Sequence, residues 1–280
     1  MTNPQPLARW RLLFADINPR RLVVQIVAPV VAIVALFAFW QVYATYGEIN
    51  SLLLPTPVQV ARVTLSDWRS IAPALLATLT ETAIGFSFAL VFGLICAALL
   101  DLSSLLRQAL YPLLVASQSV PIIALAPILW LLFGPDLTSK VIVIVLVCFF
   151  PITVAGLDGL RATDPELIRL YRGFGASAWQ IFRAVRLPNA LPSLFSGVRI
   201  AISYSVIGAI FSEYIGSNQG LGIYIRKEQA AFRLDLVIGA IVLTALASIA
   251  LFLSISLIER LAIPWFYAER RRLGNDPRRS

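Results

Sequence analysis

The 280-residue sequence contains no histidine and only two cysteines. Without histidine, the chain lacks Ser-His-Asp and Cys-His catalytic arrangements, imidazole metal ligands and histidine proton relays. Cys96 and Cys148 lie in apolar segments, where they are most simply small hydrophobic residues, and they do not indicate a disulfide framework. These absences argue against redox chemistry and against most classes of enzyme.

A phosphate-binding loop is missing as well. No segment fits G-x-x-x-x-G-K-[ST], in which backbone amides and a lysine hold nucleotide phosphates. We therefore expect no cofactor in this chain, and any ATP would have to be bound and hydrolysed by a partner protein.

Hydrophobic residues are abundant, making up 59% of the chain, and the mean hydropathy is +0.82. A soluble core of this size needs far less apolar surface. A helix of roughly 20 apolar residues crosses a bilayer, and six segments are suitable: 22–45, 76–100, 108–133, 139–160, 190–216 and 234–262. The predicted fold class is an all-α integral membrane protein with about six transmembrane helices.

The third of these segments differs from the others because it contains three prolines, Pro112, Pro121 and Pro127. Each proline removes a helical hydrogen bond, so we expect this segment to kink or break. Within a bilayer, broken helices usually face protein or a water-filled cavity.

Basic residues predict the orientation of the chain. Arginines cluster in the N-terminal arm (1–21), in a polar segment (161–192) and in the tail (263–280), which all lie on one side of a six-span protein. Because cytoplasmic loops carry the excess of arginine and lysine, both termini are predicted to be cytoplasmic. The first span lacks a cleavage site and is expected to be retained, so the permanent membrane domain runs from 22 to 262. The net charge of +8 follows from arginines beside spans, and nucleic-acid binding is rejected.

The polar segment 161–192 contains two signals for helix starts. Thr163-x-x-Glu166 and Ser177-x-x-Gln180 both fit a capping box, in which a hydroxyl and a carboxyl or amide group satisfy free backbone amides. Two short helices are predicted, with glycines that can adopt positive φ between them and a Leu-Pro pair at the end of the second helix. The glycines are Gly173 and Gly175, and the ending is Leu187-Pro188.

The second predicted helix carries Trp179, Phe182 and Val185 near one face, so an aromatic group is expected at its surface. Gly175, nine further residues and then 185–188 (VRLP) resemble the signature loop of binding-protein-dependent ABC importer permeases. In that family the loop is the coupling helix, which lies in a cleft of a separate ATPase subunit. The resemblance implies that the ATPase-coupling residues are Gly175, Ala176, Ser177, Trp179, Phe182, Leu187 and Pro188.

This chain departs from the family at one point. The family usually has Glu-Ala-Ala six residues before the glycine, where this chain has Arg169, Leu170 and Tyr171. The role of that acidic residue is therefore not carried over.

Within the family, the chain resembles the nitrate, sulfonate and taurine branch, and in that branch the permeases for vitamin-like heterocycles. The segments SQSVPIIALAP, VCFFPI and LPSLFSGVRIAISYSVIGAIFSEYIGSNQGLGIY carry this resemblance. It implies riboflavin or a pyrimidine precursor of thiamine as cargo, with a sulfonate, taurine or nitrate as the alternative. The implied partners are ABC ATPase subunits, an extracytoplasmic substrate-binding protein and a second copy of this permease in the cytoplasmic membrane.

Ionisable residues inside apolar spans are expensive and therefore functional candidates. They are Glu81, Asp158, Arg199 and Glu213. Together with the polar group before Pro121, they supply the candidate translocation path: Glu81, Ser117, Gln118, Ser119 and Glu213. Each also has a structural interpretation, because polar side chains in membranes hydrogen-bond to neighbouring helices.

Two other functional classes remain open at this point. An intramembrane enzyme acting on lipid-linked substrates would use Glu81, Asp158 or Glu213 as acid or base and would need no ATPase. A channel would carry its solute down a gradient and would need no docking loop.

Overall fold

The computed structural model describes residues 19–47, 50 and 53–268, with side chains from residue 27 onward. Most of the predicted N-terminal arm (1–21) and most of the predicted tail (263–280) lie outside the described residues. Within the described ranges every regular element is helical, which confirms the predicted fold class.

The α-helices, in chain order, are α1 Pro19–Tyr46, α2 Pro57–Ser66, α3 Trp68–Leu102, α4 Ser104–Ser117, α5 Ile122–Phe133, α6 Leu137–Arg161, α7 Pro165–Gly173, α8 Ala178–Ile181, α9 Leu187–Gly216, α10 Leu221–Ala230 and α11 Leu234–Ala262. A π-helical turn, Phe182–Arg186, joins α8 to α9.

Five helical segments in the described residues are long and apolar enough to cross a membrane: Val27–Tyr46, Trp68–Leu102, Leu137–Arg161, Ala178–Gly216 and Leu234–Ala262. A sixth span results if α4 and α5, which meet at 96°, count as one broken span. The sequence prediction of about six spans is confirmed in this form.

The break between α4 and α5 lies at Pro121, one of the three prolines expected to disturb this segment. The amides of Gln118, Ser119 and Val120 bond to carbonyls three residues earlier, and Pro121 then has no amide to donate. Pro112 and Pro127, by contrast, lie inside α4 and α5, and both helices continue through them. Only one of the three expected disturbances therefore produces a break.

Helices α3, α6 and α9 form the centre of the bundle. Glycines let α3 approach α6 closely, because a Cβ at Gly85 would lie only 2.7 Å from the Cβ of Ile144, and one at Gly93 only 2.9 Å from that of Ile152. Both isoleucines are fully buried. This close packing fixes the three helices that carry the polar residues described below.

A second apolar cluster, which includes Ile71, Leu221 and Leu236, packs α10 against the start of α3 and the start of α11. The end of the bundle that carries α2, α10 and the 134–136 and 217–220 loops is called the α10 end. Helix α2 begins after the N-cap Thr56, whose hydroxyl accepts the amide of Gln59 at 3.2 Å.

Candidate functional site

The opposite end of the bundle carries residues 164–188, here called the docking segment. Its first helix, α7, is capped by Asp164, whose Oδ1 accepts the amide of Glu166 at 2.8 Å. The predicted capping box from Thr163 is wrong by one residue, because Pro165 occupies the first helical position and leaves Asp164 as the N-cap. The buried Thr163 hydroxyl instead accepts Asn189 Nδ2 at 3.4 Å.

Gly175 forms the turn between α7 and α8. Its φ is +78°, in the left-handed region that favours glycine, and its amide donates to the Arg172 carbonyl at 2.9 Å. Gly173, which the sequence also placed in this turn, is the last residue of α7 and lacks a positive φ. No atom lies within 4 Å of a Cβ added to either glycine, so Gly175 is required for its backbone conformation and not for space.

The capping box predicted for the second helix is present. Ser177 Oγ accepts the amide of Gln180 at 3.3 Å, and Gln180 Oε1 accepts the amide of Ser177 at 2.7 Å. The helix presents Trp179, which is 66% exposed and stacks on Phe182 with ring centroids 5.6 Å apart. Phe174, at 81% exposure, lies just before the turn. The docking segment therefore carries aromatic side chains that are largely exposed on the surface of this chain.

The expectation that Leu187-Pro188 ends the second helix is wrong. The amide of Leu187 donates to the carbonyl of Phe182, five residues earlier, so the hydrogen-bonding register changes across the π turn. Pro188 follows directly after this change of register, and the helix continues through it. The docking helix is thus continuous with the fifth span over the 39 residues Ala178–Gly216.

Arg186 ties the docking segment to the bundle. Its Nη2 donates to Asp101 Oδ1 at 2.8 Å, at the end of α3, and to the carbonyl of Leu160 at 3.1 Å, at the end of α6. Since one planar guanidinium holds both helix ends, the docking segment is fixed in position against α3 and α6.

Near the end of α9, Glu213 is fully buried and both of its oxygens are bonded. Oε1 accepts the Thr78 hydroxyl at 2.6 Å, and Oε2 accepts the amide of Gly222 at 2.6 Å. The Thr78 hydroxyl also accepts the amide of Leu221 at 2.8 Å. Glu213 therefore links α9 to α3 and to the start of α10, and its hydrogen bonds have a structural role.

Glu81, one turn beyond Thr78 on α3, forms a buried ion pair with Lys140 in the first turn of α6. Lys140 is a functional residue that the sequence analysis does not identify as the partner of Glu81. The two residues are 59 positions apart in the sequence, so no local pattern links them. The only usable signal was that a charge inside a span needs a counter-charge.

The remaining sequence candidates are separated from this pair. Arg199 pairs with Glu259 of α11, and Asp158 is exposed near the end of α6. The polar residues at the bend between α4 and α5 are exposed: Ser117, Gln118 and Ser119. Of the candidate path residues, the structure brings together only Glu81 and Glu213. Glu81 lies on α3, and Glu213 of α9 bonds to Thr78, one turn before Glu81 on α3.

Comparison with known proteins agrees with this architecture. Residues 89–266 match the family described as "Binding-protein-dependent transport system inner membrane component". The chain is 37% identical over 243 residues to the formylaminopyrimidine transport permease protein ThiX of Halalkalibacterium halodurans, covering 86% of this chain and 96% of the relative. It is 36% identical to the riboflavin transport system permease protein RibX of Chloroflexus aurantiacus, covering 84% and 88%.

Among solved structures, a chain of the inward-facing MetNI methionine ABC transporter superposes with a TM-score of 0.62. The superposition covers 69% of this chain and 96% of that one at 20% sequence identity, so it concerns the fold. Fold, family match and relatives agree, and the chain belongs to the binding-protein-dependent inner membrane components, the permease subunits of ABC importers.

Proposed function

We propose that this permease imports a neutral heterocyclic vitamin or vitamin precursor, riboflavin or a pyrimidine precursor of thiamine. Support for this cargo class comes from the names of ThiX and RibX, at 37% and 36% identity. The taurine permease TauC of Escherichia coli, at 28% identity over 86% of this chain, represents the alternative of a sulfur-containing or anionic cargo.

The driving force in this proposal is ATP hydrolysis by a separate subunit that binds the docking segment. The observation that carries it is the exposed pair Phe174 and Trp179 on either side of a left-handed turn, with Trp179 on a helix that is continuous with a membrane span. Exposed aromatic groups of this size mark a binding surface for a protein partner. The coupling residues are Gly175, Ala176, Ser177, Trp179, Phe182, Leu187 and Pro188.

Two copies of the permease complete the translocation path, with both termini and the docking segments in the cytoplasm. ATP-driven closure draws the docking segments together and opens the path toward an extracytoplasmic binding protein, and hydrolysis reverses the change. The orientation is supported by the arginine excess of the docking segment, and the path by the polar residues Glu81, Ser117–Ser119 and Glu213.

The cargo is tested by uptake in cells that express this chain with its ATPase and binding protein. Labelled riboflavin, formylaminopyrimidine, taurine and nitrate are supplied separately, the two heterocycles also with excess unlabelled taurine as competitor, and the same cells without this chain serve as the control. We expect chain-dependent uptake of one heterocycle that taurine does not reduce. Chain-dependent uptake of taurine or nitrate, with none of either heterocycle, overturns the cargo proposal.

The ATPase docking is tested by co-purification. Trp179→Ala removes an exposed side chain of the docking segment, so we expect loss of the ATPase from the purified complex without loss of permease from the membrane. Trp68→Ala, at the α10 end and 45% exposed, is the matched control and retains the ATPase. Equal retention by both variants contradicts the assignment of the docking surface.

A further inference from the structure

A polar cavity of about 590 Å³ opens at the α10 end, between α3, the start of α6 and the 217–220 loop. Its volume is within the roughly 300–1,000 Å³ of small-molecule sites. The polar side chains that line it are Thr80, Glu81, Asp136, Lys140, Asn218 and Gln219.

Glu81 is the unusual member of this lining. Its side chain is only 4% exposed, and Lys140 binds Oε1, but Oε2 is buried without any hydrogen-bond partner. Buried carboxylate oxygens are normally hydrogen-bonded, as both oxygens of Glu213 are. Because Glu81 lines the cavity, a small rotation of its carboxylate would present this vacant acceptor to a ligand donor.

The charge of the cavity limits which ligand fits. Glu81 and Asp136 contribute two negative charges and Lys140 one positive charge, so the lining carries a net charge of −1. Sulfonate and nitrate groups are repelled by such a lining, particularly where a protein wall lowers the local dielectric. A neutral molecule with N–H donors meets no such barrier.

We propose that this cavity is a cargo subsite in which Glu81 Oε2 accepts an N–H from the amino or imide group of a neutral heterocycle. The amides of Asn218 and Gln219 lie at the exposed part of the lining and offer both donors and acceptors to the ring. The net negative charge of the lining selects the heterocycle over sulfonate and nitrate. This inference rests on the proposed function for the cargo class and for the outward position of the α10 end.

The first test measures uptake of labelled formylaminopyrimidine and riboflavin by Glu81→Gln in the intact transporter. Losing a charge-assisted acceptor predicts a fall of about tenfold or more in the uptake of the cargo that the unaltered protein carries. Glu259→Gln is the matched control, because it neutralises an equally buried, arginine-paired carboxylate outside the cavity lining. Normal uptake by Glu81→Gln, or an equal loss in both variants at equal membrane levels, overturns the subsite.

A second test needs no cargo. Asn218→Cys, in a background with Cys96→Ser and Cys148→Ser, is labelled with methanethiosulfonate reagents that carry either an ammonium or a sulfonate group. Asp136→Asn, an exposed change that spares the buried pair, brings the charge of the lining to zero and should lower the ratio of cationic to anionic labelling rates severalfold.

The two tests together separate failure of the subsite from failure of the proposed function. An unchanged labelling ratio overturns the charge selection even if a heterocycle is the cargo. Import of a sulfonate or nitrate by the unaltered protein overturns both proposals. A lower ratio in Asp136→Asn, with loss of heterocycle uptake confined to Glu81→Gln, supports the subsite.

Discussion

The Thr78 hydroxyl donates to Glu213 Oε1 at 2.6 Å and accepts the amide of Leu221 at 2.8 Å, so one side chain of α3 joins the end of α9 to the start of α10. The three groups are buried, and the Thr78 hydroxyl is the hydrogen-bond partner of both the carboxylate and the amide. Because a membrane interior offers no water to replace these bonds, the arrangement of the 217–220 loop depends on this threonine.

Thr78→Val keeps the shape of the side chain and removes the hydroxyl. We expect a loss of about 1–3 kcal/mol in the free energy of unfolding, since a carboxylate oxygen and an amide lose their partner. Thermal unfolding of the detergent-purified protein measures it. Thr80→Val is the control, because the exposed Thr80 hydroxyl bonds only to the carbonyl of Leu76 in its own helix. Equal stability of the two variants contradicts the prediction.

Tyr224 predicts a dependence of stability on alkaline pH. Burial, followed by the hydrogen bond of 2.7 Å to Asp67, raises the pKa of the Tyr224 hydroxyl far above its ordinary value. The unfolded chain loses this proton near pH 10 and the folded chain keeps it, so the stabilisation is present below about pH 10 and is lost as the pH rises. In Tyr224→Phe the fall in unfolding temperature between pH 9 and 11 should be shallower. An identical fall in unfolding temperature over this pH range in both proteins contradicts the prediction.

Gly175→Val is expected to leave the permease in the membrane and to uncouple uptake from ATP hydrolysis. A β-branched residue at φ +78° is strained by about 1–2 kcal/mol, so the turn before α8 changes and Trp179 is displaced. Gly173→Ala is the control, because Gly173 is helical and a Cβ there meets no atom within 4 Å. The ratio of uptake to ATPase activity in the reconstituted transporter measures coupling, and an unchanged ratio refutes the assignment.

Arg186→Lys retains the charge but loses the guanidinium whose Nη2 bonds both Asp101 and the carbonyl of Leu160. We expect weaker coupling of uptake to ATP hydrolysis, with the protein still inserted. Arg183→Lys, one helical turn away and exposed, should behave like the unaltered protein. Equal coupling in both lysine variants shows that the bonds of Arg186 do not position the docking segment.

Features set by local sequence were predictable. The apolar spans, the capping box of Ser177 and Gln180 and the turn at Gly175 each depend on residues a few positions apart. The Asp164 cap was missed by one residue because two competing hydroxyl and carboxylate caps adjoin there and Pro165 decides between them.

Features set by distant contacts were not predictable. Glu81 and Lys140 meet across 59 residues, and Arg199 and Glu259 across 60. Which helices become neighbours depends on the packing of the whole bundle, including glycines such as Gly85 that allow close approach. A single sequence showed that charges lie in the spans but not how they pair.

The π turn at Phe182–Arg186 also has a rotational consequence. Its wider turn contains about one residue more than a regular helical turn, and one residue corresponds to about 100° of rotation. Deleting one residue there would restore a regular helix and point Trp179 toward a different side of the molecule. The direction in which Trp179 points around the helix axis is therefore set by the one extra residue of the π turn. It does not depend on the chemistry of the aromatic surface.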